Sequence, residues 1–205
     1  MTPTEYQRAV ATLRRQCPTL RAVDDSFGPP SPNRRPAGLD TLVRIILEQQ
    51  ISVKAADAIH KRLTRGLGRL SARALVDAGE DGLRALGLTR QKAHYCVELG
   101  HAIRARRFSV AGIARRSDAD ALAALVDLKG IGPWSASIYL MMALGRTDIW
   151  PPGDLALDRA VRQLLGDPSI DPAATADRWS PYRTVAADYL WHYYRKTRSL
   201  SENLI

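Results

Sequence analysis

Leu128-Lys129-Gly130-Ile131-Gly132-Pro133-Trp134 is the stretch whose reading decides the fold. Before it, Asp118 to Asp127 sets Leu122, Leu125 and Val126 on one side of a short helix. After it, Trp134 to Leu144 is almost wholly apolar and reads as a second helix. Two helices joined by a tight turn with glycines two apart make a helix-hairpin-helix. Gly130 and Gly132 permit positive φ and leave no side chain between the turn and an approaching group. The N–H groups of the turn and of the next helix start then form a nest for an anion such as a DNA phosphate. An ordinary corner between two helices has the same pattern, so the turn alone does not settle the matter.

Outward from the turn, helical spacing dominates. Thr4 to Gln16 reads as a helix capped by Thr2 or Thr4 and stopped by Pro18. Phe27 to Gly38, with Pro29, Pro30, Pro32 and Pro36, reads as an extended loop. Leu39 to Gln49 resumes a helix with Leu42, Ile45, Ile46 and Gln49 on one side. Glu48-Gln49-Gln50-Ile51-Ser52 interrupts it, and Ser52 can cap the next helix, Val53 to Arg65. Short helices at Ala72 to Ala78 and Asp81 to Leu86 precede a longer one that Thr89 caps and that runs to about Arg106. Beyond the hairpin come helices at Asp154 to Leu165, Pro172 to Trp179 and Pro181 to about Lys196. Thr197 to Ile205 has no periodicity and is expected to be a disordered tail. No window alternates as a strand does. The expectation is an all-α chain of about ten helices.

Composition narrows the classes. Among 205 residues, 45% are hydrophobic and 25% charged, as in soluble globular domains. No apolar run is long enough to span a membrane, and the polar start Met1 to Val10 does not read as a signal peptide. Net charge is +9, and the five lysines leave 25 of the 30 basic residues as arginine. Arginine's planar fork suits phosphate, so a polyanion partner is favoured; a genome-wide arginine bias would give the same count. Cys17 and Cys96 are too few for a four-cysteine cluster, and the four histidines have no zinc spacing. No side-chain metal site is expected.

Pro152-Gly153-Asp154 follows the hairpin, with Asp154 twenty-two residues after Gly132. A carboxylate opening a helix faces the positive end of the helix dipole. It is also the commonest kind of N-cap, which is the competing explanation. A phosphate-gripping turn followed by such a carboxylate and several aromatics suits cleavage of an N-glycosidic bond. That reaction passes through an oxocarbenium-like sugar, which a carboxylate can stabilise while orienting a water.

These residues resemble the helix-hairpin-helix (HhH-GPD) DNA glycosylase superfamily, specifically its alkylbase, or 3-methyladenine DNA glycosylase II, branch. The matching stretches are Leu42 to Val53, Gly87 to Ala93, the hairpin, Pro152-Gly153-Asp154 and Pro181 through Trp191. The resemblance implies two helical lobes, about 39–130 and about 1–26 plus 131–196, with an active-site cleft between them. It puts the catalytic carboxylate at Asp154, with Asp158 one turn later as the next to test. Trp134 stands where strand-cutting relatives carry a Schiff-base lysine, which implies a monofunctional glycosylase that leaves the abasic site uncut.

Trp134 and Trp191 match the branch's aromatic pocket positions, with Ile138 and Tyr139 as further pocket candidates. An indole face attracts a cationic N3- or N7-alkylated purine; core packing is the alternative for each Trp and is preferred for Trp150 and Trp179. Base flipping requires a wedge, matched by Gln50 with Ile51 competing. Lys129, Gly130, Ile131, Gly132, Ser52, Arg90 and Lys92 are the expected phosphate contacts. No cofactor is required, although relatives often hold Na+ or K+ on carbonyls that would fall at Val126, Leu128 and Gly130. The implied partner is double-stranded DNA containing alkylated bases, met by a monomer in the cytoplasm of a prokaryote or in a nucleus. A glycosylase for a neutral lesion (uracil, hypoxanthine or a mismatch) and a non-catalytic damaged-DNA-binding protein stay open as alternatives.

Overall fold

The hairpin's second helix, α8 (Pro133–Met142), is where the fold is tightest, with every residue from Ser135 to Met142 buried. An apolar sequence with no polar stripe can be accommodated only by neighbours on several sides. The structure, a computed structural model, describes residues 1–202. Those residues hold eleven α-helices, two 3₁₀ turns and no strand.

In chain order the helices are α1 (Pro3–Gln16), α2 (Pro18–Phe27), α3 (Leu39–Glu48), α4 (Val53–Leu67), α5 (Ala72–Ala85) and α6 (Arg90–Arg104). Then follow α7 (Asp118–Val126), α8, α9 (Leu155–Leu165), α10 (Pro172–Ala176) and α11 (Arg183–Glu202). Capping explains most of the starts. Thr2 and Glu5 form a reciprocal capping box on α1, and the hydroxyls of Ser52, Ser71, Thr89 and Ser117 each accept an N–H in the first turn of their helices.

Three expectations need correction. Pro18 ends α1 but also opens α2, because proline costs nothing at a first helical position. The two short helices after Ser71 are one run with a break at Gly79, whose φ is 64°. Residues 197–202, expected as tail, continue α11; the remainder of that tail, 203–205, lies outside the described residues.

The chain divides into two units, Arg35–Leu144 and Met1–Arg34 with 145–202. The boundary therefore falls after α8 rather than at residue 130. In the first unit α8 packs on α3 and α7, α3 on α4 and α6, and α5 on α6. Leu42, Ile45, Ile46, Leu63, Leu75 and Leu83 are fully buried there, each worth about 1.5–3 kcal/mol of transfer free energy. In the second unit α11 packs on α9, α2 and α1 around Leu20, Leu157, Val161, Tyr189 and Leu190. No helix among the described residues is long and apolar enough to cross a membrane.

Candidate active site

The residues singled out by sequence fall into two centres, one in each unit. In the hairpin centre, Ile131 N donates to Leu128 O at 3.0 Å and closes the turn after α7. Gly130 has φ 86°, and a Cβ added there would lie 2.3 Å from the Tyr95 ring. Glycine is thus required twice over, by dihedral and by packing. Gly132 differs. Its φ of −83° is open to any residue, and a Cβ there would meet nothing within 4 Å. What glycine supplies at 132 is room for something approaching the head of α8. Exposed Lys129 stands in the same turn, and an open groove of about 700 Å³ borders Gln49, Gln50, Lys129, Gly130 and Gly132.

The loop between α3 and α4 also borders this groove. Gln50 is exposed in the left-handed region at φ 58°, and Ile51 is 37% exposed. Both candidate wedges are therefore accessible. Ser52 Oγ accepts from Ala55 N at 3.2 Å as the cap of α4, and Arg90 is exposed at the start of α6.

Lys92 is a correction. Expected on phosphate, it is only 8% exposed, and its Nζ donates to Leu47 O at 2.7 Å and Gln49 O at 2.8 Å. The last carbonyls of α3 have no partner within their own helix, and the lysine supplies one. Burial holds its pKa below the ordinary lysine value, with neighbouring Cys96 pulling weakly the other way. Burial likewise pushes the Cys96 thiol up to about 12.

Gln49, which as one of two adjacent glutamines reads as a solvated loop residue or part of a probe, instead points its side chain at the hairpin. Its Nε2 donates to Gly130 O at 2.8 Å and reaches Ser135 Oγ at 3.3 Å. The signal was present, since an amide on the apolar side of α3 must find a buried partner. Its bond bears on the expected cation too. Leu128 O and Gly130 O already accept from Ile131 N and Gln49, so the carbonyls fit a monovalent ion only through their second lone pairs. No cluster of His, Cys, Asp or Glu among the described residues could hold a metal.

On α8, Trp134 is 38% exposed, whereas Ile138 and Tyr139 are 3% and 0% exposed. The Tyr139 hydroxyl accepts from Gly38 N at 3.1 Å and anchors the segment entering α3. Of the three pocket candidates on this helix, only Trp134 is open to a ligand.

The carboxylate centre is built from the connector before α9 and from α11. Asp148 accepts from Arg183 Nε at 2.9 Å, Arg183 Nη2 at 3.1 Å and Ser180 Oγ at 2.9 Å. Burial raises its pKa, but these bonds win and hold the carboxyl below its ordinary value. Thr184 adds bonds to Arg146 O at 2.8 Å and from Ile149 N at 3.2 Å. The connector is thereby locked to the head of α11. Gly153, at φ 68°, turns the chain into α9.

Asp154 then caps that helix. Its Oδ1 accepts from Ala156 N and Leu157 N at 3.0 Å each, and Trp191 Nε1 donates to the same oxygen at 3.3 Å. The N-cap explanation is therefore correct as far as it goes, and the indole bond goes beyond it. Asp154 is 8% exposed. Asp158, one turn on, is half-buried. Leu155, which no motif singled out, stands 71% exposed beside the carboxylate. Trp150 and Trp179 pack on each other at 5.7 Å between ring centroids, with Trp179 buried, as core residues do.

One turn before Trp191, buried Asp188 accepts from Tyr6 Oη at 3.1 Å. Burial pushes its carboxyl up to about 7 against the opposing pull of Tyr6, Arg34 and Arg195.

Comparison with known proteins places this geometry. A solved DNA-3-methyladenine glycosidase from Bacillus halodurans superposes with a TM-score of 0.80 at 29% identity, over 91% of this chain and 88% of that one. The 3-methyladenine DNA glycosylase Mag1 of Schizosaccharomyces pombe, solved in complex with abasic DNA, gives 0.75 at 25% identity over 90% and 95%. DNA-3-methyladenine glycosylase 1 of the same yeast is 29% identical over 171 residues, covering 80% of this chain and 73% of its own. Of two other curated relatives the chain spans only 56% and 37% of the length. The family model matching residues 43–180 is that of the HhH-GPD superfamily base excision DNA repair proteins, and the chain belongs to that superfamily.

Proposed function

We propose that the chain is a monofunctional DNA glycosylase that removes alkylated, chiefly cationic, purines by flipping them out of the duplex. The observation that carries this reading is the Trp191 Nε1 bond to Asp154 Oδ1 at 3.3 Å. It puts an indole beside a buried carboxylate at a helix head. The hairpin of the other unit fits a DNA phosphate, with Gly132 leaving the approach open and Lys129 supplying charge. Gln50, or Ile51, fills the space that the flipped base leaves.

Chemistry then asks little of the protein. A purine alkylated at N3 or N7 already carries positive charge, so it departs with the electrons of the glycosidic bond and needs no general acid. Charge develops on the sugar, and the Asp154 carboxylate stabilises it there. Water adds at C1′ and loses its proton toward the carboxylate. An indole face attracts a cationic base by ~2 kcal/mol, the role proposed for Trp191 and for Trp134. With Trp134 in place of a lysine no imine can form at that position, and the strand stays intact.

The test is mass-spectrometric identification of bases released from methylated genomic DNA. Free 3-methyladenine and 7-methylguanine are expected from the wild type and not from Asp154→Asn. Unimpaired release by that variant would remove Asp154 from the mechanism.

A further inference from the structure

The bonds around Lys92 and Gln49 belong neither to phosphate binding nor to the glycosidic chemistry. Lys92 Nζ holds Leu47 O and Gln49 O at 2.7 and 2.8 Å. From the same residue, Gln49 Nε2 holds Gly130 O at 2.8 Å and Ser135 Oγ at 3.3 Å. Gln49 is thus fixed at its carbonyl by α6 and at its side chain by the hairpin. The next residue, Gln50, departs at φ 58° with its side chain exposed, and two residues later Ser52 starts α4.

A glutamine in the left-handed region persists only where its surroundings over-determine it. Here they do so on both sides. Lys92 caps the carboxyl end of α3, and the Gln49 amide ties the loop to the turn that grips the backbone.

We infer that Lys92 and Gln49 are positioning residues which join the wedge loop to the phosphate-binding turn, so that seating a phosphate also sets where Gln50 or Ile51 enters the duplex. This inference rests on the DNA-glycosylase reading and adds a step to it. A lysine with two of its three donors spent on carbonyls steers the wedge rather than the phosphate.

The experiment compares two duplexes carrying one methylated purine. In the first the lesion is paired normally; in the second it faces an abasic analogue, so there is no partner base to separate it from. Single-turnover release is measured for the wild type, Lys92→Met and Gln49→Leu. Both substitutions remove the donor and keep most of the apolar bulk, and either one alone suffices if the other does not fold. On the paired lesion both variants are expected to lose about ten- to a hundredfold, as misplaced groups do. Opposite the abasic analogue they are expected to stay within about threefold, because flipping is then largely prepaid.

A readout independent of base release uses 2-aminopurine opposite a stable abasic analogue. Its fluorescence change on wild-type binding is expected to shrink in both variants, with the salt dependence of binding unaltered. Equal losses on both duplexes would overturn the inference. So would a fall of about one in the slope of log affinity against log salt for Lys92→Met, which marks a lost phosphate contact. Absence of wild-type release from either duplex, with the fluorescence response intact, would count against the glycosylase reading and not against the positioning.

Discussion

The hairpin centre and the carboxylate centre use the same device, the head of a helix, in opposite ways. At α8 the head is left open: Gly132 offers no side chain, and the turn before it is braced from behind by Tyr95 and Gln49. At α9 the head is closed by its own residue, since Asp154 Oδ1 takes the Ala156 and Leu157 N–H groups. An open head can receive an anion from outside. A head already occupied by a carboxylate presents negative charge to whatever approaches next. The first arrangement suits gripping a phosphate and the second suits stabilising a cationic sugar.

The sharpest way to break this contrast is Asp154→Asn. Asparagine caps as well as aspartate, so the urea midpoint should stay near the wild type while base release falls by roughly 10²–10³-fold. A parallel loss of stability would mean that the cap, and not the charge, was removed.

The two hairpin glycines offer the next test. Gly130→Ala meets both the Tyr95 ring and a φ of 86°, and should cost on the order of 2–4 kcal/mol in denaturant titration. Gly132→Ala, with an ordinary φ and space around it, should leave stability within about 0.5 kcal/mol and weaken DNA binding alone. Equal destabilisation by both would show that the open face at 132 is not open.

Trp191→Ala should reduce release of a cationic 7-methylguanine roughly 30-fold, the kinetic equivalent of ~2 kcal/mol. A neutral lesion such as hypoxanthine should suffer less, and a loss that ignores base charge would reduce the indole to packing.

A further test is on pH. Burial raises the Asp188 carboxyl from 3.8 to about 7, so the folded chain holds this proton more tightly than the unfolded one. Its contribution to stability is full below about pH 4 and is lost as pH rises through about 7. Asp188→Asn should remove that part of the slope in thermal midpoint between pH 4 and 7.

How much of this was legible in the sequence follows from which atoms carry it. The hairpin is a backbone feature forced by glycine spacing, and its helices are forced by apolar content, so both could be read from Leu128 to Trp134. Helix starts were legible wherever a hydroxyl or carboxylate marked them. Lys92 was misread because a lysine next to a turn looks like a phosphate ligand, while its burial depends on α3 ending beside it. The bracing role of Gln49 was not legible because its partners lie 81 and 86 residues away, on Gly130 and Ser135. Ile138 lies nearest the family's other pocket position in a linear comparison, with the aromatic Tyr139 beside it, yet α8 buries both. Tertiary contacts of this kind leave no local trace.

The left-handed backbone at Gln50 has a consequence for how this site can vary. A residue at φ 58° tolerates glycine or asparagine readily, accepts unbranched side chains at roughly 1–2 kcal/mol, and penalises branching at Cβ further. The alphabet open to position 50 is therefore limited before DNA is ever met. Glutamine and leucine are admitted while valine, isoleucine and threonine are taxed, so variation at this position can act on length and polarity but scarcely on shape near the main chain. Any β-branched side chain that the proposed wedge requires would have to stand next door at Ile51, which makes the two neighbours complementary reservoirs of variation.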